Sequence, residues 1–142
     1  MKIRLLQASD LDLLLRVGDG LFDNPLDPEQ ARAFLDSPLH HIAVGFEGGR
    51  AVAFASGCVL LHPDKPPSMF VNEVGTHERH RRKGHGAAVM LALIAHARAI
   101  GCKGIWLGTE PANDPALALY RSLGGDECPF VGFGWDDAFG PD

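Results

Sequence analysis

Residues 69–86, MFVNEVGTHERHRRKGHG, decide how the chain is read. Met69 to Thr76 is a short extended run with Met, Phe and Val, while Ala87 to Ile100 is long and almost wholly apolar. The passage therefore reads as strand, basic glycine loop, helix. Between the two elements sit Arg79, Arg81, Arg82 and Lys83, then Gly84 and Gly86. The start of a helix leaves several backbone N–H groups without partners, and glycine lets a bound group approach that backbone closely. An anion, most often a phosphate, is the natural occupant, and neighbouring cations add complementary charge. Arg81, Arg82, Lys83, Gly84, His85, Gly86 and Ala87 are thus expected to form a phosphate cradle. A dinucleotide-binding fingerprint is set aside, because its third glycine would fall on Val89 and a basic run is no part of that motif.

Upstream, Lys2 to Leu6 alternates polar and apolar residues as a first strand. Ser9 is expected to cap a helix running to about Val17, with Asp10 and Asp12 near its positive end and Leu11, Leu14 and Leu15 as its buried stripe. Gly18 and Gly20 break it. A turn-rich passage, Phe22 to Pro28, opens a second helix, Pro28 to Leu35. Ile42 to Glu47 and Ala51 to Leu61 flank Gly48-Gly49 as a hairpin. Alternation along the fourth strand puts Met69, Val71, Glu73 and Gly75 on one face and Phe70, Asn72, Val74 and Thr76 on the other, so Glu73 is expected among apolar neighbours.

Downstream, Gly101 terminates the apolar helix and Gly104 to Thr109 reads as a fifth strand, parallel to the fourth across the helical crossover. Asp114 is expected to cap a helix that carries Tyr120 and stops at Gly124, and Phe130 to Trp135 reads as a last short strand.

The 142 residues, 46% of them hydrophobic, suit one domain over 1–142 with a real core. Thirteen Lys and Arg against eighteen Asp and Glu give a net charge of −5, which argues against general nucleic-acid binding. The acids Asp126, Glu127, Asp136, Asp137 and Asp142, with no basic residue among them, would suit a cationic substrate nearby. Cys58, Cys102 and Cys128 are odd in number and lack metal-like spacing, as expected of reduced thiols in the cytoplasm. The longest apolar run, Ala87 to Ala95, is far short of the ~20 residues of a membrane span, so no membrane association is expected. His77, His80 and His85 are interleaved with arginines that repel a metal ion, and no metal is expected.

Arg81-x-x-Gly84-x-Gly86, set between a strand and a long helix, resembles the acyl-CoA pyrophosphate loop of the GNAT superfamily of N-acetyltransferases. Asn113, ahead of a helix carrying Leu119-Tyr120, resembles that superfamily's last sequence block. The likeness covers Met69 to Gly124 well and the rest by element order. It implies an α/β fold of the α+β type, with a central mixed twisted sheet of about six to seven strands and about four flanking helices. It implies acetyl-CoA as cosubstrate, held by the amides of residues 81–87 and by Asn113. The fourth strand would be splayed by a bulge that Gly75 would ease, with Val74 and Thr76 as backbone contacts to pantetheine. His85 and Thr76 stand where the family usually has aliphatic residues. The block from Asn113 to Tyr120, with Glu73 ahead of the loop, looks most like the aminoglycoside 3-N-acetyltransferases. Homodimers are common in the superfamily, which makes Phe130, Phe133 and Trp135 candidate interface residues.

Acetyl transfer to an amine needs a neutral amine, a polarised thioester carbonyl and a proton for the departing thiolate. Glu73 is the candidate base, its pKa raised by partial burial. The carbonyl oxygen would meet the backbone N–H near Val74. Tyr120, with an ordinary pKa near ~10, is the candidate acid for a thiolate whose conjugate acid lies at about 8.5. The implied activity is direct, ternary-complex transfer to the primary amine of a small cationic acceptor, with Asp23, Asp27 and Glu29 as candidate contacts. The alternatives are a non-catalytic acyl-CoA-binding regulatory module and a protein or peptide N-acetyltransferase.

Overall fold

In the computed structural model, which describes residues 1–140, a hairpin forms the centre of the sheet. Gly48 and Gly49 both take positive φ, 55° and 78°, which a tight two-residue turn of the primed kind requires; they join β2 (His40–Glu47) to β3 (Arg50–Leu60). With β1 (Lys2–Leu5), β4 (Ser68–Thr76) and β5 (Gly104–Trp106) the sheet has five strands in the order β1-β2-β3-β4-β5. All pairs are antiparallel except β4 with β5, which is parallel as the intervening crossover helix requires.

The two faces of the sheet carry different residues and so accept different helices. On one face Ile42, Val44 and Phe54 pack against Leu14 of α1 (Leu11–Leu15) and Ala31 and Leu35 of α2 (Pro28–Asp36). On the other, Ala43, Ala53 and Ala55 are small, and α3 (His85–Ala99) lays Val89, Met90, Leu93 and Ala97 against them, together with Met69 and Val71. Leu93 is wholly buried, which is worth about 2 kcal/mol in transfer from water. Tyr120 of α4 (Asp114–Ser122) packs beside the same cluster.

Several local expectations change. Ser9 caps nothing: a 3₁₀ turn, Ala8–Asp10, precedes a helix that ends at Leu15, two residues short of Val17. The anchor is Asp10, which accepts the Gln7 N–H at 2.8 Å and the Arg4 guanidinium at 2.7 Å. Asn113, rather than Asp114, caps α4, its Oδ1 accepting the Ala116 N–H at 3.3 Å. The apolar helix begins two residues earlier than Ala87, at His85. Beyond Trp106 the expected fifth strand is irregular, and Phe130 to Trp135 forms no strand, so among the described residues the sheet has five strands rather than six or seven. Alternate glycines strip that last run of side chains on one face, and Phe133 and Trp135 are exposed at 77% and 76%. Asp142, counted in the acidic tail, lies outside the described residues.

Candidate functional site

The site opens where β4 parts from β5. Ser68, Met69 and Phe70 pair with Gly104, Ile105 and Trp106, and the parallel pairing stops there. On its other edge β4 stays with β3, but Ser56 pairs with Glu73 while Gly57 pairs with Val71, which leaves Asn72 as an extra, bulged residue. Gly57 permits this approach, because a Cβ there would stand 2.9 Å from the Phe70 carbonyl oxygen. The bulge reverses the alternation that the sequence predicts. Val74 joins Met69 and Val71 in the α3-side cluster. Glu73 leaves that face and meets Asp23 in the cleft, while Gly75 faces Phe54, whose ring would lie 2.7 Å from any Cβ at that position. The expected bulge thus exists, but at Asn72, and Gly75 serves the close approach of Phe54.

The resulting cleft holds ≈ 280 Å³ and is lined by Asp23, Glu73, Val74, Asn113 and Tyr120, among others. From Val71 onward the β5-facing edge of β4 has no strand partner among the described residues. Backbone groups are thereby left available to a bound molecule. Glu73 is exposed at the cleft mouth, but partial desolvation there still pushes its carboxyl above its ordinary value, and the like charge of Asp23 pushes it further the same way. Burial also raises the Tyr120 phenol, so it stays protonated at neutral pH. Asn113 spends its carbonyl oxygen on the α4 cap and keeps its NH₂ group as a donor at the cleft. Asp27 is committed elsewhere: its Oδ1 accepts from the Glu29 and Gln30 N–H groups at 2.9 and 3.2 Å as the α2 cap, and Glu29 lies in that helix's exposed first turn.

The basic loop lies between β4 and α3. Arg82 and Gly84 take left-handed conformations, φ 65° and 78°, and Gly84 is the residue on which α3 starts. A non-glycine residue held there stores on the order of 1 kcal/mol, strain of a kind that gathers at binding loops. The first main-chain bond of the helix runs from Ala88 N–H to Gly84 O at 3.1 Å, so the amides of His85, Gly86 and Ala87 have no helical acceptor. Arg81, Arg82 and Lys83 are exposed beside them. Unpaired amides, left-handed turns and free cations together fit an anion with several oxygens. Thr76 lies outside the cleft lining; its Oγ1 would be 3.4 Å from a Cβ on Gly86, and its carbonyl accepts from Arg81 Nε at 3.5 Å.

His85 is the residue whose place differs most from expectation. It is 7% exposed, and its Nε2 lies 3.4 Å from Glu47 Oε1, while His80 Nδ1 lies 3.2 Å from Glu47 Oε2. Glu47 carries no local sequence signal of this meeting, because His80 lies 33 residues further along the chain and only the pairing of β2, β3 and β4 brings them together.

A phosphate-type loop ahead of a buried helix, beside a splayed parallel strand pair, defines a class. The acetyltransferase (GNAT) family matches residues 11–124, and the chain belongs to it: it is an acetyl-CoA-dependent N-acetyltransferase. It is 31% identical over 118 residues to the N-alpha-acetyltransferase RimI of Mycobacterium tuberculosis, spanning 83% of this chain and 70% of that protein. An aminoglycoside acetyltransferase from an uncultured soil metagenomic sample, meta-AAC0020, solved with sisomicin, superposes with a TM-score of 0.84 at 19% identity, covering 95% of each chain. The aminoglycoside acetyltransferase AAC(6')-Iy, solved with a bisubstrate analogue of CoA and acetylneamine, gives 0.79 at 18% identity over 95% of this chain and 97% of its own. At those identities the likeness is one of fold. The fold implied by the Arg81 to Gly86 loop is the one present.

Proposed function

We propose that this enzyme moves an acetyl group from acetyl-CoA to a primary amine of a small cationic acceptor, aminoglycoside-like in chemistry, within a ternary complex. The observation that carries this reading is that Glu73 and Tyr120, from elements far apart in sequence, line one cleft at the point where β4 loses its strand partner. The amides of His85, Gly86 and Ala87, with Arg81, Arg82 and Lys83 beside them, would hold the diphosphate of the cosubstrate. The exposed edge of β4 around Val74 and Thr76 would pair with pantetheine, and Asn113 would donate from the cleft's far wall.

In this reading Glu73 takes a proton from the ammonium form of the acceptor, directly or through water. Its raised pKa suits a base working near neutral pH. The amine lone pair then attacks the thioester carbon, and a backbone N–H near Val74 stabilises the oxyanion. As the tetrahedral intermediate collapses and the C–S bond breaks, the Tyr120 hydroxyl gives its proton to the departing sulfur, and the second proton lost by the nitrogen restores the phenol through water. Asp23 and Glu73 supply negative charge for a cationic acceptor. The block from Asn113 to Tyr120 favours a 3-N type of aminoglycoside acceptor among these. A protein N-terminus is the second reading, favoured by the 31% identity to an N-alpha-acetyltransferase.

Isothermal titration with acetyl-CoA, followed by thiol release with a panel of aminoglycosides, diamines and peptide N-termini, tests the assignment. Amine-dependent thiol release is expected; no binding of acetyl-CoA would overturn it, and binding without release from any amine of the panel would overturn the proposed acceptor class. The exposed Phe130, Phe133 and Trp135 are further proposed to bury themselves in a homodimer in the cytoplasm, which a monomeric mass in light scattering at high concentration would refute.

A further inference from the structure

Glu47, His80 and His85 form a cluster that acetyl transfer does not use. Their ligand atoms all lie within 4.8 Å of one another. His85 Nε2 is buried, and although it stands 3.4 Å from Glu47 Oε1 it is not aligned for a hydrogen bond and has no such partner among the described residues. A buried imidazole nitrogen left in that state demands a partner. Each carboxylate oxygen faces one ring, Oε2 at 3.2 Å from His80 Nδ1 and Oε1 at 3.4 Å from His85 Nε2. Ligands bound at 2.0–2.2 Å around a tetrahedral ion stand about 3.4 Å apart. The arginines that argue against a metal in the sequence do not enter the cluster: Arg79, Arg81, Arg82 and Lys83 are exposed, while His80 and His85 turn inward toward one carboxylate.

We infer that Glu47, His80 and His85 bind a divalent first-row cation of the zinc class, with a fourth position open to water. Two imidazoles and one carboxylate suit such an ion and not magnesium or calcium, which take oxygen ligands. The side chains of His80 and Glu47 are 20% and 37% exposed, which gives the ion a way in. His80 and His85 bracket Arg81 to Gly84, so the ion would pin both ends of the basic loop to the β2–β3 hairpin. The site rests on its own geometry and not on the reading of the loop.

The test is titration of chelator-treated full-length protein with ZnCl₂ by calorimetry, and with CoCl₂ by visible absorption, in the absence of acetyl-CoA. One ion per chain is expected, with a tetrahedral cobalt spectrum, a Tm that rises with zinc, and no response to MgCl₂. Glu47→Gln, at a partly exposed position that should still fold, is expected to weaken zinc binding at least tenfold, with His85→Gln doing the same. His96→Gln serves as control, because His96 and His41 form a second histidine pair, Nε2 to Nδ1 at 2.9 Å. No zinc binding by the wild type, equal binding by Glu47→Gln, or loss of binding in His96→Gln would each overturn the inference.

Discussion

Gly84 and Gly124 form a matched pair of substitutions. Both are left-handed, with φ of 78° and 79°, and a Cβ added to either meets nothing within 4 Å. Replacing each by alanine therefore introduces the same backbone cost with no clash. That cost is about 1–2 kcal/mol in the left-handed region, offset in part by the smaller conformational freedom of alanine in the unfolded chain, for a net loss near 1 kcal/mol. In a chain of this length Tm should fall by roughly 3 °C in both variants. The difference lies in what the residue holds. Gly124 ends α4, whereas Gly84 sets the direction of the amides that open α3. If the loop relaxes out of the left-handed turn, one or two charge-assisted amide bonds to a diphosphate are lost. At about 1.5–3 kcal/mol each, acetyl-CoA should bind Gly84→Ala at least tenfold more weakly. Differential scanning calorimetry reads the first effect and isothermal titration the second. Equal acetyl-CoA affinity in the two variants, at equal loss of stability, would refute the assignment of the loop.

Tyr120→Phe should lower kcat at least tenfold while acetyl-CoA affinity stays unchanged in calorimetry; an unaltered kcat would remove the phenol from the mechanism. The raised Glu73 pKa moves the acidic limb of the kcat/KM profile upward from where an unperturbed glutamate would set it, and Asp23→Asn, by removing the second cause, should move that limb to lower pH. A limb that stays in place would exclude Glu73 as the group seen. Asp10→Ala strands the Arg4 guanidinium and the Gln7 N–H, and should cost about 2–3 kcal/mol in urea unfolding. The main-chain bond from Gln7, then Arg4, holds Asp10 below its ordinary pKa; its contribution is thus present above about pH 4 and lost as the pH falls through the folded value. Burial depresses His41 and His96, and His41 is lowered further by the charge of His96. The unfolded chain then takes up protons first, so stability is full above about 6.5 and declines below it; His96→Gln should reduce that slope in melts from pH 7.5 to 5.5, by removing its own shift and the part of the His41 shift it causes. A wild-type Tm flat over that range would contradict the depression.

The sequence by itself determined which stretches are strand and which helix in the central half of the chain, and where the basic glycine loop falls. Those features are local: two glycines ahead of an apolar helix, a Gly-Gly hairpin, and an Asn ahead of a helix that stops at Gly124. Local cap and stop signals placed the helix that carries Tyr120, while its candidacy as a site residue came from the likeness of Asn113 and Leu119-Tyr120 to a known family block. The register of β4 was not legible, since the bulge at Asn72 comes from its pairing with β3 across Gly57, and it decides which face Glu73 takes. Aromatic alternation from Phe130 to Trp135 reads as a strand, but a strand needs a neighbour, and none of the described residues pairs with it. The meeting of Glu47 with His80 and His85 depends on a hairpin and a loop packing together across more than thirty residues. Periodicity and capping act within a turn or two of the chain and can be read in one dimension. Register, cleft and side-chain clusters arise where distant segments share space, and tertiary structure alone decides them.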